Sequence, residues 1–130
     1  MRKISTLAAV LAASFVGVVF AADTPDIETI MKKVNSKKGL HNKVGAGLKE
    51  ASPNWADLGK QMDEYKTLAD ALGKNEPPKG DKKSWETLSK GYAADAAKLH
   101  DAVAQKDAKA AGEAHAALSK SCKKCHDAHK

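Results

Sequence analysis

The sequence predicts an all-α fold, an antiparallel four-helix bundle, and three observations carry that expectation. Apolar residues recur at intervals of three and four through four separated segments, the spacing of a helix with one buried face. No stretch alternates apolar and polar residues as a half-buried strand would. The connections are short and hold the Gly, Pro and Asp that stop and start helices, which favours up-down packing of neighbours.

The first helix is expected to open at Thr24 as N-cap, with Pro25 at the first helical position and Asp26 and Glu28 in the first turn. Its apolar stripe is Ile27, Ile30, Met31 and Val34. Lys37 and Lys38 before Gly39 read as its end. From Leu40 to Glu50 the spacing of Leu40, Val44 and Leu48 is helical, but Gly45 and Gly47 each weaken a helix by about 1 kcal/mol. A short helix within the connection is the reading. The second long helix is expected from Ser52-Pro53 to Gly73, with Trp55, Leu58, Met62, Tyr65, Leu68, Ala69 and Leu72 inward. The stretch Gly73 to Gly80 holds Pro77 and Pro78 and cannot be helical across them. Asp81 caps the third helix, whose stripe is Trp85, Leu88, Tyr92, Ala96, Leu99 and Val103, and Asp107 opens the fourth.

Residues 1–21 read as a secretory signal peptide. Arg2 and Lys3 form a positive start, Ile4 to Phe20 is apolar, and Val19-Phe20-Ala21 fits a small-residue cleavage site. The mature domain is then 22–130, exported to the periplasm, with no membrane association after cleavage. That length suits one domain with a modest core. The formal charge of +6 is spread along helices rather than gathered into a basic stripe, so a nucleic-acid partner is not expected.

On the fourth segment Ala111, His115, Leu118, Cys122 and His126 follow at steps of three and four, which reads as the core-facing stripe. The chain has two cysteines, and both lie in Cys122-Lys123-Lys124-Cys125-His126. This spacing is that of a covalent haem attachment site. Each thiol adds across one vinyl group to give a thioether, so two sulfurs three positions apart can reach neighbouring edges of one porphyrin from one helix face. His126 follows directly and can offer its ring to the iron as proximal ligand. A thioredoxin-like dithiol would need a βαβ surround, which is absent here. A zinc site of Cys122, Cys125, His126 and His129 would crowd its ligands into eight residues and close no loop. A disulfide would join only adjacent turns of one helix and leave His126 without a role. One covalent haem c, held on the C-terminal helix inside the bundle, is therefore expected. With aromatics at only 5%, the porphyrin would be the largest apolar body in the interior. Export agrees, because thiols are not long kept free in an oxidising compartment.

A Cys-x-x-Cys-His at the end of a small exported four-helix chain resembles the class II c-type cytochromes, the cytochrome c prime group and its low-spin His/Met relatives. The tail Ser121-Cys122-Lys123-Lys124-Cys125-His126-Asp127-Ala128-His129-Lys130 is similar to that family's ending. Where the family often has an arginine near the proximal histidine, this chain has Lys130, without the guanidinium fork. The connection from Gly39 to Gly47 also interrupts a first helix that tends to be longer in the family.

The resemblance implies a methionine early in the first helix as sixth ligand, and Asp26-Ile27-Glu28-Thr29-Ile30-Met31 matches that stretch with Met31 in the ligand's place. Independently, a thioether is a good soft ligand for haem iron, and Met31 lies on the helix's apolar stripe. The plain alternative is that Met31 fills the core. His41 would lie about 15 Å beyond Met31 on a continuous helix and could not share its pose. His100 reads as a surface residue, His115 as a partly buried histidine making one hydrogen bond, and His129 as tail surface. Met62 is the remaining rival.

The functional expectation is a periplasmic haem c electron-transfer protein with His126 and Met31 as axial ligands. The alternative is a five-coordinate cytochrome c prime that binds a gas such as nitric oxide or carbon monoxide. An enzyme is not expected, since no distal histidine-arginine pair, hydrolytic triad or phosphate loop is visible. Lys120, Lys123, Lys124 and Lys130 could steer an acidic redox partner protein, and a homodimer is left open.

Overall fold

The computed structural model describes residues 23–130, so the signal peptide expected over 1–21 lies outside the described residues. Three quarters of the described chain is helical, and there is no strand among the described residues. The helices are α1 (Ile27–Asn35), α2 (Leu40–Leu48), α3 (Trp55–Leu72), α4 (Lys82–Ala104) and α5 (Ala108–His129). Four helices pack closely, compatible with a helical bundle, with α1 and α2 sharing the place of the first.

Each long helix begins where a polar side chain can take up an orphan N–H. Asp81 accepts from the amide of Ser84 at 2.8 Å and Asp107 from that of Ala110 at 3.0 Å, as the sequence suggested. Two expected starts move inward. Asp26 caps α1 through Thr29 at 2.7 Å, in place of Thr24. Asn54 caps α3 through Asp57 at 3.2 Å, in place of Ser52. In both, an Asp or Asn stands after the proline, and its carboxylate or amide oxygen outcompetes the hydroxyl residue before it.

The helix between Leu40 and Leu48 forms despite its glycines, and the structure gives them a purpose. A Cβ on Gly45 would lie 2.8 Å from the His115 ring, and one on Gly47 would lie 2.9 Å from Leu58. Their absence lets α2 approach α5 and α3 closely.

Neighbouring helices run in opposite directions, as paired residues show. Lys33 meets Glu64 at 3.6 Å while Asn75 reaches the Pro25 carbonyl at 3.1 Å, so α1 and α3 are antiparallel. Tyr65 faces Tyr92 and Asn75 faces Trp85, which sets α3 against α4. Ser84 meets His129 and Asp95 meets Ser121, which sets α4 against α5. The shared core includes Ile30, Val34, Met62, Tyr65, Leu99, Val103 and Leu118, all essentially without exposure.

Candidate functional site: a cleft between the first and last helices

α1 packs on α2 and α3, and α5 packs on α4 and α2, but α1 and α5 make no close backbone approach. After the break at Ser36–Gly39, α2 packs on both α3 and α5, while α1 packs on α2 and α3 and does not reach α5. A cavity of about 520 Å³ fills the gap. From α1 it is lined by Ile27 and Met31, with Asn35 and Ser36 at its edge, and from α5 by Cys122, Cys125, His126 and His129. Leu72, Trp85 and Tyr92 contribute apolar wall from α3 and α4, and Pro78 comes from the loop between them.

All four residues singled out in the sequence, Met31, Cys122, Cys125 and His126, therefore line one cavity, although Met31 comes from the opposite end of the described chain. Both cysteines are free and half-buried. Burial pushes the thiols of Cys122 and Cys125 above the ordinary cysteine range. They stay as S–H groups, the form that adds across a vinyl group, and are unsuited to a nucleophilic dithiol. Cys122 donates to the Leu118 carbonyl at 3.4 Å, a weak bond that the side chain can give up.

Met31 is half-buried, and its sulfur accepts from the Asn35 side-chain amide at 3.1 Å. A thioether is a weak acceptor, so one lone pair is engaged loosely and a second is free for a metal. Met62 is wholly buried among core residues and does not line the cavity.

Two histidines exchange the surroundings that their spacing suggested. His126 is exposed at the rim, and its ring has no hydrogen-bond partner among the described residues. His129, expected at the tail surface, is only 3% exposed. The reason is geometric. Two successive steps of four from Leu118 through Cys122 to His126 drift about 80° around a helix, whereas the eleven positions from Leu118 to His129 return within about 20°. The buried stripe is thus Leu118, Cys122, Cys125 and His129, and the cleft opens along its edge, not within the closed core.

His129 is held from three sides. Its Nδ1–H donates to the Lys79 carbonyl at 2.8 Å, which leaves Nε2 to accept from Ser84 Oγ at 3.2 Å. Its ring stands edge-on to Trp85 at 5.3 Å. These bonds tie the loop that carries Pro78 to the end of α5 and so fix one wall of the cavity. Asn75 adds to this, accepting from the Trp85 indole at 2.8 Å through its carbonyl.

The other histidines lie away from the cavity. His115 makes the single side-chain hydrogen bond expected of it, to the His41 carbonyl at 2.9 Å. His41 stacks on it with centroids 4.1 Å apart. His100 is partly buried rather than on the open surface and bonds Asp63 at 2.8 Å. Among the described residues no group of three or more His, Cys, Asp or Glu side chains is arranged to hold a bare metal ion. None of the described helices is long and apolar enough to cross a membrane.

Trp85, Tyr92 and Leu72 were legible only as core stripes, and nothing in their spacing marked them as cavity wall. Compared with known proteins, the chain matches no family model, no curated protein and no solved structure.

Proposed function

We propose that the chain is an exported haem c protein that transfers electrons, with the haem bound through Cys122 and Cys125 and ligated axially by His126 and Met31. One observation supports this most: two free thiols, a histidine with no other partner and a methionine from a distant helix all line the same largely apolar cleft. The cleft lies between helices whose backbones stay apart, which leaves room for a flat apolar group slotted between α1 and α5. Bound there, the haem would supply one-electron redox chemistry, and the protein would supply ligation, burial and orientation. Two ligands in place in both oxidation states keep reorganisation on electron transfer small.

The working compartment in this proposal is the periplasm, reached through the segment 1–21. The redox partner is a protein with an acidic docking face. Lys120, Lys124 and Lys130 are exposed, Lys130 at the cleft and the other two close in sequence to Cys122, and none has an ion-pair partner among the described residues, whereas Lys123 is bonded to Asp127 at 2.7 Å. Such free lysines raise association rates more than affinity.

A second reading, the five-coordinate gas-binding cytochrome, is favoured by the Asn35 amide on the Met31 sulfur and by the separation of α1 from α5. A sixth position left open on the α1 side would suit nitric oxide or carbon monoxide.

The test of attachment is the mass of the exported protein and its behaviour in acidic acetone. A mass one haem above the chain, with colour that stays in the protein precipitate, is expected. Extractable haem, or zinc in its place, would sink the proposal.

A further inference from the structure

A line of hydrogen bonds runs from the wall of the cleft through the core to an exposed position on α5, one turn before Cys122. Tyr92 lines the cleft, and its hydroxyl donates to that of buried Tyr65 at 3.4 Å. The Tyr65 hydroxyl lies 3.1 Å from His41 Nδ1, and His41 Nε2 lies 2.9 Å from Ser119 Oγ at the exposed side of α5. Ser119 in turn donates to the His115 carbonyl at 3.0 Å.

With Tyr92 as the donor, proton counting gives this line one direction. A hydroxyl has one hydrogen, so Tyr65, accepting from Tyr92, must donate to His41 Nδ1. His41 is then the neutral tautomer that carries its hydrogen on Nε2 and gives it to Ser119. A second proton on His41 can go only to Nδ1, which must then donate to the Tyr65 oxygen. Tyr65 must turn its own hydrogen towards Tyr92, and Tyr92, now the acceptor, must turn its hydrogen towards the cleft. Each hydroxyl turns and no covalent bond breaks.

We infer that His41 is a proton-exchange site linked to the cleft through Tyr65 and Tyr92, so that proton binding at His41 and electron gain in the cleft favour one another. This rests on the haem proposal for the cleft. With one electron added to a group bound in the cleft, solvent would supply one proton to the His41 ring, leaving hydrogens on both its nitrogens, and the reversed hydroxyls would present a donor to the more negative cleft. Reciprocity requires that protonated His41 raise the reduction potential by the same coupling. A tenfold difference in proton affinity between the two oxidation states corresponds to about 59 mV across the titration.

The titratable groups facing His41 are His115 of α5, stacked on it, and Tyr65 of α3, with Tyr92 of α4 behind. No side chain of α1, and no other side chain of α2, bonds the ring among the described residues. Burial, and secondarily the charge that His115 would carry, hold His41 well below the usual histidine range, at about 4. The linked window therefore opens near that pH and extends upward in the reduced state. His115 is the competing proton acceptor, but its ring reaches only a backbone carbonyl and not the tyrosines.

The test is the reduction potential of the haem-loaded protein as a function of pH, compared with Tyr65→Phe and His41→Gln. The expected result is a potential that falls as pH rises through the window in the unaltered protein. Both variants should keep their haem spectrum and show a flatter profile. An identical slope in all three overturns the relay while leaving the haem proposal standing, and places the titrating group elsewhere, His115 included. A protein that carries no haem at all overturns both. If Tyr65→Phe does not fold, His41→Gln decides alone, because its side chain is already half-exposed.

Discussion

Met31 and His126 enter the cleft from helices whose backbones do not closely approach each other. Met31→Ala removes the proposed sixth ligand and the contact with Asn35 together. The expected outcome is loss of the weak red charge-transfer band of sulfur-to-iron bonding, a high-spin or water-ligated iron, rapid carbon monoxide binding and a lower potential, since methionine ligation raises it. Low-spin iron that survives the substitution would mean that another side chain holds the position. His41 gives a prediction on stability. Folding lowers its proton affinity from near 6.5 to about 4. The unfolded chain therefore binds a proton that the folded chain refuses within that interval. Stability is complete above the upper value and falls as pH drops towards the lower one. Urea unfolding at pH 7.5 and pH 5 should show the loss, and His41→Gln should reduce it.

At the scale of the element, the loop between α3 and α4 is a wall of the cleft as much as a connection. Gly80 has φ +88, where a side chain is strained. A Cβ there would also lie 2.7 Å from the Ala128 carbonyl and 2.8 Å from His129 Nδ1. Gly80→Ala should cost about 1 to 3 kcal/mol, read from the urea midpoint, and, if the proposed haem is bound, should alter its absorbance through the Pro78 side of the cleft. An unchanged midpoint would mean that His129 does not anchor this loop. The helices themselves were largely legible in the sequence, because the stripes of α3 and α4 recur at three and four and Asp81 and Asp107 are strong caps, although Trp55 and Leu88, read as inward, are only partly buried and Ser89 is buried beside Leu88. The starts of α1 and α3 were less so, since Thr24 and Ser52 are also good caps and only the local backbone chooses between neighbours. The break before α2 was visible as Gly39, but its consequence, the parting of α1 from α5, depends on packing that no local signal encodes.

At the scale of the molecule, Cys122, Cys125, His126 and Met31 could be named from spacing and chemistry, and the fold brings them to one cavity. The wall residues and the buried position of His129 could not be foreseen. They follow from how α4 meets α5, and from a small angular drift along α5 that separates His126 from His129. The line from Tyr92 through Tyr65 to His41 was equally hidden, because its members come from three helices and each alone reads as ordinary core. The proposed function requires a covalent haem closed on both faces by side chains of this chain. Its most direct test is the visible spectrum of the purified ferrous protein before and after carbon monoxide is added. A haem c spectrum that is low-spin and changes slowly or not at all is the result expected, because the gas must first break the bond to Met31. A high-spin spectrum that converts at once to the carbonyl form would contradict His126/Met31 ligation and leave the gas-binding reading, and a protein without haem absorbance would contradict the account altogether.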